Sequence, residues 1–151
     1  MDIREGDLDH PDVRALLRLH RDEALGSTPR ENAHALDADG LRAPDTHFWT
    51  AWDGETLLGM AALREVEPGH LELKSMRTAP GQLRRGIARM LLAHLLADAR
   101  ARGCARVSLE TGTAPMFAAA NRLYEAAGFV DGPVFGDYPP SAYNRFMTMM
   151  L

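Results

Sequence analysis

Arg84, Arg85, Gly86, Ile87 and Ala88 stand where the stretch "GQLRRGIARMLLAHLLADARARG" turns into an apolar-periodic helix. Helix starts usually carry hydroxyl or acidic caps, because the exposed N–H groups there favour negative charge. A basic start built on small residues implies that the negative charge arrives from outside, on a phosphate-bearing ligand. Gly86 and Ala88 would leave the backbone amides open to close approach. Arg84, Arg85 and Arg89 would add charge-assisted hydrogen bonds. The predicted ligand is a pyrophosphate. Two familiar phosphate loops, G-x-x-x-x-G-K-[ST] and G-x-G-x-x-G, are absent from the sequence.

The elements around this loop change character halfway along the chain. "DIREGD" reads as a short strand ending in a turn. "HPDVRALLRLHRDEALG" places Val13, Leu16, Leu17, Leu19 and Leu25 at helical spacing. "STPRENAHAL" carries a helix start, with Thr28 as cap, Pro29 at the first helical position and Glu31 completing a capping box. "THFWTAWDG" and "ETLLGMAALREV" read as strands joined at Asp53-Gly54, and the turn "EPGH" leads to a third strand, "LELKSMRT". A helix from about Gly86 to Arg102 follows. Its apolar stripe is Ile87, Leu91, Leu92, Leu95, Leu96 and Ala99, and Gly103 is placed to stop it. The strand "ARVSLET" then completes a strand–helix–strand unit, whose crossover should be right-handed with parallel strands. "PMFAAANRLYEAAGF" reads as a further helix with Met116, Ala120, Leu123 and Ala127 on one face. "GPVFGDY" and "NRFMTMML" read as two closing strands around a polar loop.

Composition narrows the function classes. The chain has 151 residues, enough for one domain (1–151) with a real core, and its 46% apolar and 25% charged content is that of an ordinary globular protein. A net charge of −4 argues against bulk attraction to nucleic acid or to an anionic membrane. The single cysteine, Cys104, excludes an internal disulfide, and the scattered histidines have no metal-ligand spacing, so no metal site is expected. The N-terminus has no basic and apolar signal segment, and no apolar run reaches the roughly 18 residues of a membrane span, which points to a cytoplasmic protein.

The order strand, two helices, three strands, helix, strand, helix, two strands resembles the GNAT superfamily of N-acetyltransferases. That family's phosphate motif, [QR]-x-x-G-x-[GA], aligns with "LRRGIA", Leu83 to Ala88; Gly86 and Ala88 match, whereas Leu83 replaces the first Gln or Arg. "T-A-P" (Thr78 to Pro80) resembles the family's V-x-P strand exit. "NRLYEAAGF" resembles its L-Y-x-x-x-G-F, with Phe117 where an Asn often stands seven residues before the tyrosine. The resemblance covers essentially the whole chain. It implies an α/β (α+β) single-domain fold. The central sheet would be mixed and mostly antiparallel, with one splayed parallel strand pair and about four flanking helices.

The resemblance also implies acetyl-CoA as cofactor and direct attack of an amine on the thioester. The pyrophosphate would lie on the amides of about Arg84 to Ala88, with Ile87 among them. The pantetheine arm would pair with the backbone of Met76, Arg77 and Thr78, and Phe117 would border the cofactor. Such chemistry needs a proton acceptor for the ammonium, a donor for the thioester oxygen and a proton for the departing thiolate. Glu72 is the candidate base, on a strand whose Glu72, Lys74 and Met76 should share one face while Leu71, Leu73 and Ser75 take the other. Tyr124 matches the family tyrosine that donates to the thiolate. Lys74, Glu110, Asp137 and Tyr138 are candidates for the acceptor pocket, and Glu110 is also a second candidate base. The acceptor would be a small-molecule amine or a protein amino group, and a homodimer fits the family. The competing reading is an acyl-CoA sensor of the same fold without turnover.

Overall fold

The computed structural model describes residues 1–27 and 38–151. The expected helix start at Thr28, Pro29 and Glu31 lies outside the described residues. The elements run β1 (Asp2–Glu5), α1 (Pro11–Ser27), α2 (Ala38–Leu41), β2 (Thr46–Asp53), β3 (Thr56–Glu67), β4 (His70–Thr78), α3 (Ile87–Ala101), β5 (Arg106–Gly112), α4 (Ala118–Ala127), β6 (Val130–Asp131) and β7 (Asn144–Met150). They form one seven-stranded sheet in the order β1-β2-β3-β4-β5-β7-β6. Every pairing is antiparallel except β4 with β5. This is the mixed α/β fold expected from the sequence. Among the described residues, no helix is long and apolar enough to cross a membrane.

Two apolar layers cover the sheet. On one face α3 lays Ile87, Leu91, Leu92, Leu95, Leu96 and Ala99 against the strands, all buried, as its periodicity predicts. Burying each such leucine contributes about 1.5–3 kcal/mol, so the stripe fixes the helix relative to β4 and β5. Leu71, Leu73, Val107, Leu109, Tyr124 and Phe129 belong to the same core. On the other face, Val13, Leu16 and Leu17 of α1 and Leu41 of α2 pack on Phe48, Trp52, Met60 and Ala62.

Three expectations need correction. The segment 132–138 is not a strand: β6 is confined to Val130–Asp131, and the chain then leaves the sheet through a left-handed turn at Gly136 (φ 58°). Phe135 explains this, because it is buried against Phe146 and His70 and draws the segment over the sheet face instead of along its edge. On α4, Met116 and Ala127 are exposed, while Tyr124 is buried and Ala120 and Leu123 pack beside it. A 3-10 turn at Pro115–Phe117 precedes the helix and takes Met116 off its inner face.

The third correction concerns β4. Opposite it on β3, the partners step from Ala62↔Lys74 to Met60↔Arg77, so β4 carries one extra residue there. Ser75 has a left-handed backbone (φ 55°) within this bulge. A bulge resets which face each later side chain takes. Met76 therefore packs on the α3 side with Leu58 and Ile87, not beside Glu72 and Lys74.

Candidate active site

The pairing of β4 with β5 stops at Leu73↔Leu109, although β4 runs on to Thr78 and β5 to Gly112. From Lys74 onward, among the described residues, β4 and β5 share no ladder, which leaves a gap in the sheet between their ends. The loop after β4 climbs to the start of α3. Its Arg84 (φ 65°) and Gly86 (φ 76°) are both left-handed, and Gly86 is the N-cap with no side-chain hydrogen bond closing the helix. Backbone of this kind turns successive amides toward one point. A Cβ on Gly86 would meet nothing within 4 Å, so the approach is open. Arg84, Arg85 and Arg89 are exposed around it, and Arg85 is hydrogen-bonded to Gln82. Ile87 is buried, and Ala88 is half-buried behind the amides. The donor set fits a pyrophosphate.

Glu72, Lys74, Glu110 and Tyr138 meet on the opposite face. Glu72 is 1% exposed. The Tyr138 hydroxyl donates to its Oε2 at 2.6 Å, Lys74 Nζ lies 3.4 Å from the same oxygen, and Arg64 lies 3.2 Å from Oε1. Lys74 also donates to the Tyr138 hydroxyl and sits over its ring. Burial lowers the Lys74 pKa, opposed by Glu72; burial, with Glu72 beside it, raises that of Tyr138 and keeps the phenol protonated. Glu110 accepts a 2.9 Å hydrogen bond from Asn144 on β7. Asp137 is exposed.

Tyr124 is on the α3 side of the sheet, in the core with the leucines of that helix and edge-on to Phe129. Burial raises its pKa to about 12, so it is a neutral hydroxyl across the physiological range. Phe117 packs against the end of β5, where a Cβ on Gly112 would come within 2.2 Å of its ring. Asn121, one helical turn on, donates to the Gly112 carbonyl at 3.1 Å and accepts from Thr111 at 2.8 Å. The site thus reaches both faces of the sheet, and the gap between β4 and β5 joins them. A family model described as the acetyltransferase (GNAT) family matches residues 13–129.

The chain belongs to the GNAT acetyltransferase family.

Its relatives span nearly the same length. An uncharacterized N-acetyltransferase of Escherichia coli (strain K12), YedL, is 46% identical over 99% of this chain and 94% of that protein. An IAA acetyltransferase of Azospirillum brasilense is 35% identical over 98% of this chain and 95% of that protein. The crystal structure of a Bacillus subtilis acetyltransferase in complex with CoA superposes with a TM-score of 0.74 over 99% of this chain and 97% of that one. At 17% identity it is a match of fold. The cofactor of this GNAT acetyltransferase is acetyl-CoA.

Several residues beside the candidate site escaped the sequence reading. Arg64 and Asn144 contact Glu72 and Glu110, and Glu23 and His20 of α1 lie beside Arg77. Glu23 of α1 is hydrogen-bonded to Arg77, which lowers the Glu23 pKa. His20, on the same helix, has a buried Nδ1 without a partner among the described residues. Burial, with repulsion from Arg77 and Lys74 against the opposing pull of Glu23, lowers its pKa from 6.5 to about 4. The unfolded chain takes up a proton near pH 6.5 that the folded acetyltransferase refuses until near pH 4. Stability from this group is therefore present above the higher value and lost as pH falls toward the lower one. At roughly 1.4 kcal/mol per pH unit, the loss approaches about 3 kcal/mol. His20→Phe should remove that part of the acid sensitivity. Urea midpoints at about pH 7 and about pH 4.5 check it, and equal losses in both proteins would clear His20 of the role.

Proposed function

We propose that this acetyltransferase moves an acetyl group from acetyl-CoA to a primary amine by direct attack in a ternary complex. The observation that carries the reading is the gap between β4 and β5, with amide donors at one end and a carboxylate cluster on the far face. When bound, acetyl-CoA supplies an activated thioester carbonyl. The amides of Arg84 to Ala88, with the guanidinium groups of Arg84 and Arg85, hold the pyrophosphate. The unpaired edge of β4 at Met76, Arg77 and Thr78 takes the pantetheine arm as an added strand. Phe117 closes the end of β5 beside it.

Glu72 is the proton sink. It is too buried to meet the ammonium directly, but the half-buried Tyr138 hydroxyl already donates to it. As the ammonium gives its proton to the Tyr138 oxygen, the phenol's own proton passes to Glu72 Oε2. Lys74 and Glu110 flank that hydroxyl and hold the polar groups of the acceptor, a small-molecule amine or a protein amino group. On the cofactor face the neutral Tyr124 hydroxyl protonates the departing thiolate. Tyr124→Phe should lower kcat roughly 10²-fold with little change in the KM for acetyl-CoA. Unchanged kcat would move thiolate protonation to solvent.

Calorimetric titration with CoA and acetyl-CoA, followed by an amine panel with thiol-release detection, tests the whole reading. Binding with thiol release on an amine supports it. Binding without release on either small amines or peptide amines would favour a non-catalytic acyl-CoA sensor.

A further inference from the structure

Ser75 combines two unfavourable features at one position. Its backbone is left-handed, a region that serine rarely adopts. Its hydroxyl is buried and has no hydrogen-bond partner among the described residues, in a residue only 8% exposed. Buried hydroxyls are nearly always paired, because an unpaired one forfeits its bonds to water without replacement. A glycine would relieve the first cost and an alanine the second, yet the chain has serine. Strained, unpaired groups concentrate where a ligand completes them.

The position says which part of a ligand that would be. Ser75 is two residues past Leu73, the last β4 residue paired with β5, so it stands at the vertex of the gap. The amide-rich loop lies at the other end of the free β4 edge, beyond Thr78. A chain anchored by its phosphates at that loop and laid back along Thr78, Arg77 and Met76 ends at the bulge. Its reacting end, not its middle, therefore meets Ser75.

We propose that the Ser75 hydroxyl donates a hydrogen bond to the acyl carbonyl of the bound thioester, so that the protein distinguishes acetyl-CoA from free CoA through this side chain. The inference rests on the cofactor reading above, and binding alone can test it. Ser75→Ala should weaken acetyl-CoA binding roughly five- to tenfold, the worth of one neutral hydrogen bond, and leave CoA binding unchanged. Its Tm should not fall, because an unpaired buried hydroxyl has been removed. Ser75→Gly, which also relieves the backbone, should show the same loss of preference for acetyl-CoA. Calorimetry with both ligands on the three proteins gives the ratio directly. An unchanged ratio in both variants, or an equal loss of both ligands, overturns the proposal while the cofactor reading stands on the wild type. A wild type that binds neither ligand overturns both.

Discussion

Gly86→Glu should reduce affinity for CoA and acetyl-CoA by at least roughly 10²-fold while the protein still folds, because the change puts a negative charge where phosphate charge must sit. Gly86 is the N-cap of α3, and no side chain competes for the amides there. Space is not the obstacle, since a Cβ at this position meets nothing within 4 Å. The cost to folding comes from φ 76°, a conformation that a residue with a Cβ enters at about 1 kcal/mol or somewhat more. Gly86→Ala carries that backbone cost without the charge and separates the two effects. Calorimetry should find CoA affinity reduced only modestly in the alanine variant and lost in the glutamate variant. Equal affinity in all three proteins would remove the amide cradle from the site.

Glu72→Gln is the second large effect, and it should act on both stability and rate. The amide keeps the shape of the side chain but removes the only carboxylate that contacts both Arg64 and Lys74 in the described cluster. Lys74 is 7% exposed, so water cannot replace the carboxylate it would lose. Breaking a buried pair from one side costs about 3 kcal/mol or more. As the proton sink, Glu72 should also take turnover down roughly 10²–10⁴-fold when it is replaced. A variant that loses stability but retains wild-type turnover would show Glu72 to be an anchor for Lys74 and Tyr138. Glu110, at the mouth of the gap, would then be the carboxylate to test next.

The candidate phosphate loop was legible in the sequence because it is built from local backbone. Small residues at Gly86 and Ala88, a helix period of six buried positions and a stop at Gly103 are all properties of neighbouring residues. The acceptor side is built from distant ones, and two bulges decide it. From the turn at Pro68 and Gly69, an unbroken antiparallel register carries Glu67↔His70 on to Glu65 opposite Glu72, two like charges. The irregularity between Glu65 and Glu67 instead brings Arg64 opposite Glu72. The second bulge, at Ser75, turns Met76 to the α3 face and ends the alternation that Glu72 and Lys74 begin. Nothing local in "LELKSMRT" announces either shift.

By itself, then, the sequence determined the order of the elements, the parallel strand–helix–strand unit, the apolar stripe of α3 and the small-residue, basic start of that helix. Each of these depends on period, turn chemistry or helix-end chemistry within a few residues. Only the tertiary structure decided that β4 and β5 part after Leu73 and Leu109, and that Tyr138 reaches across 66 residues to Glu72. It also decided that Tyr124 and Glu72 lie on opposite faces of one sheet. Strand register and loop docking are set by which side chains the whole chain can bury together. Phe135 buried over His70, and Arg64 against Glu72, become favourable only once both sides of each contact are in place.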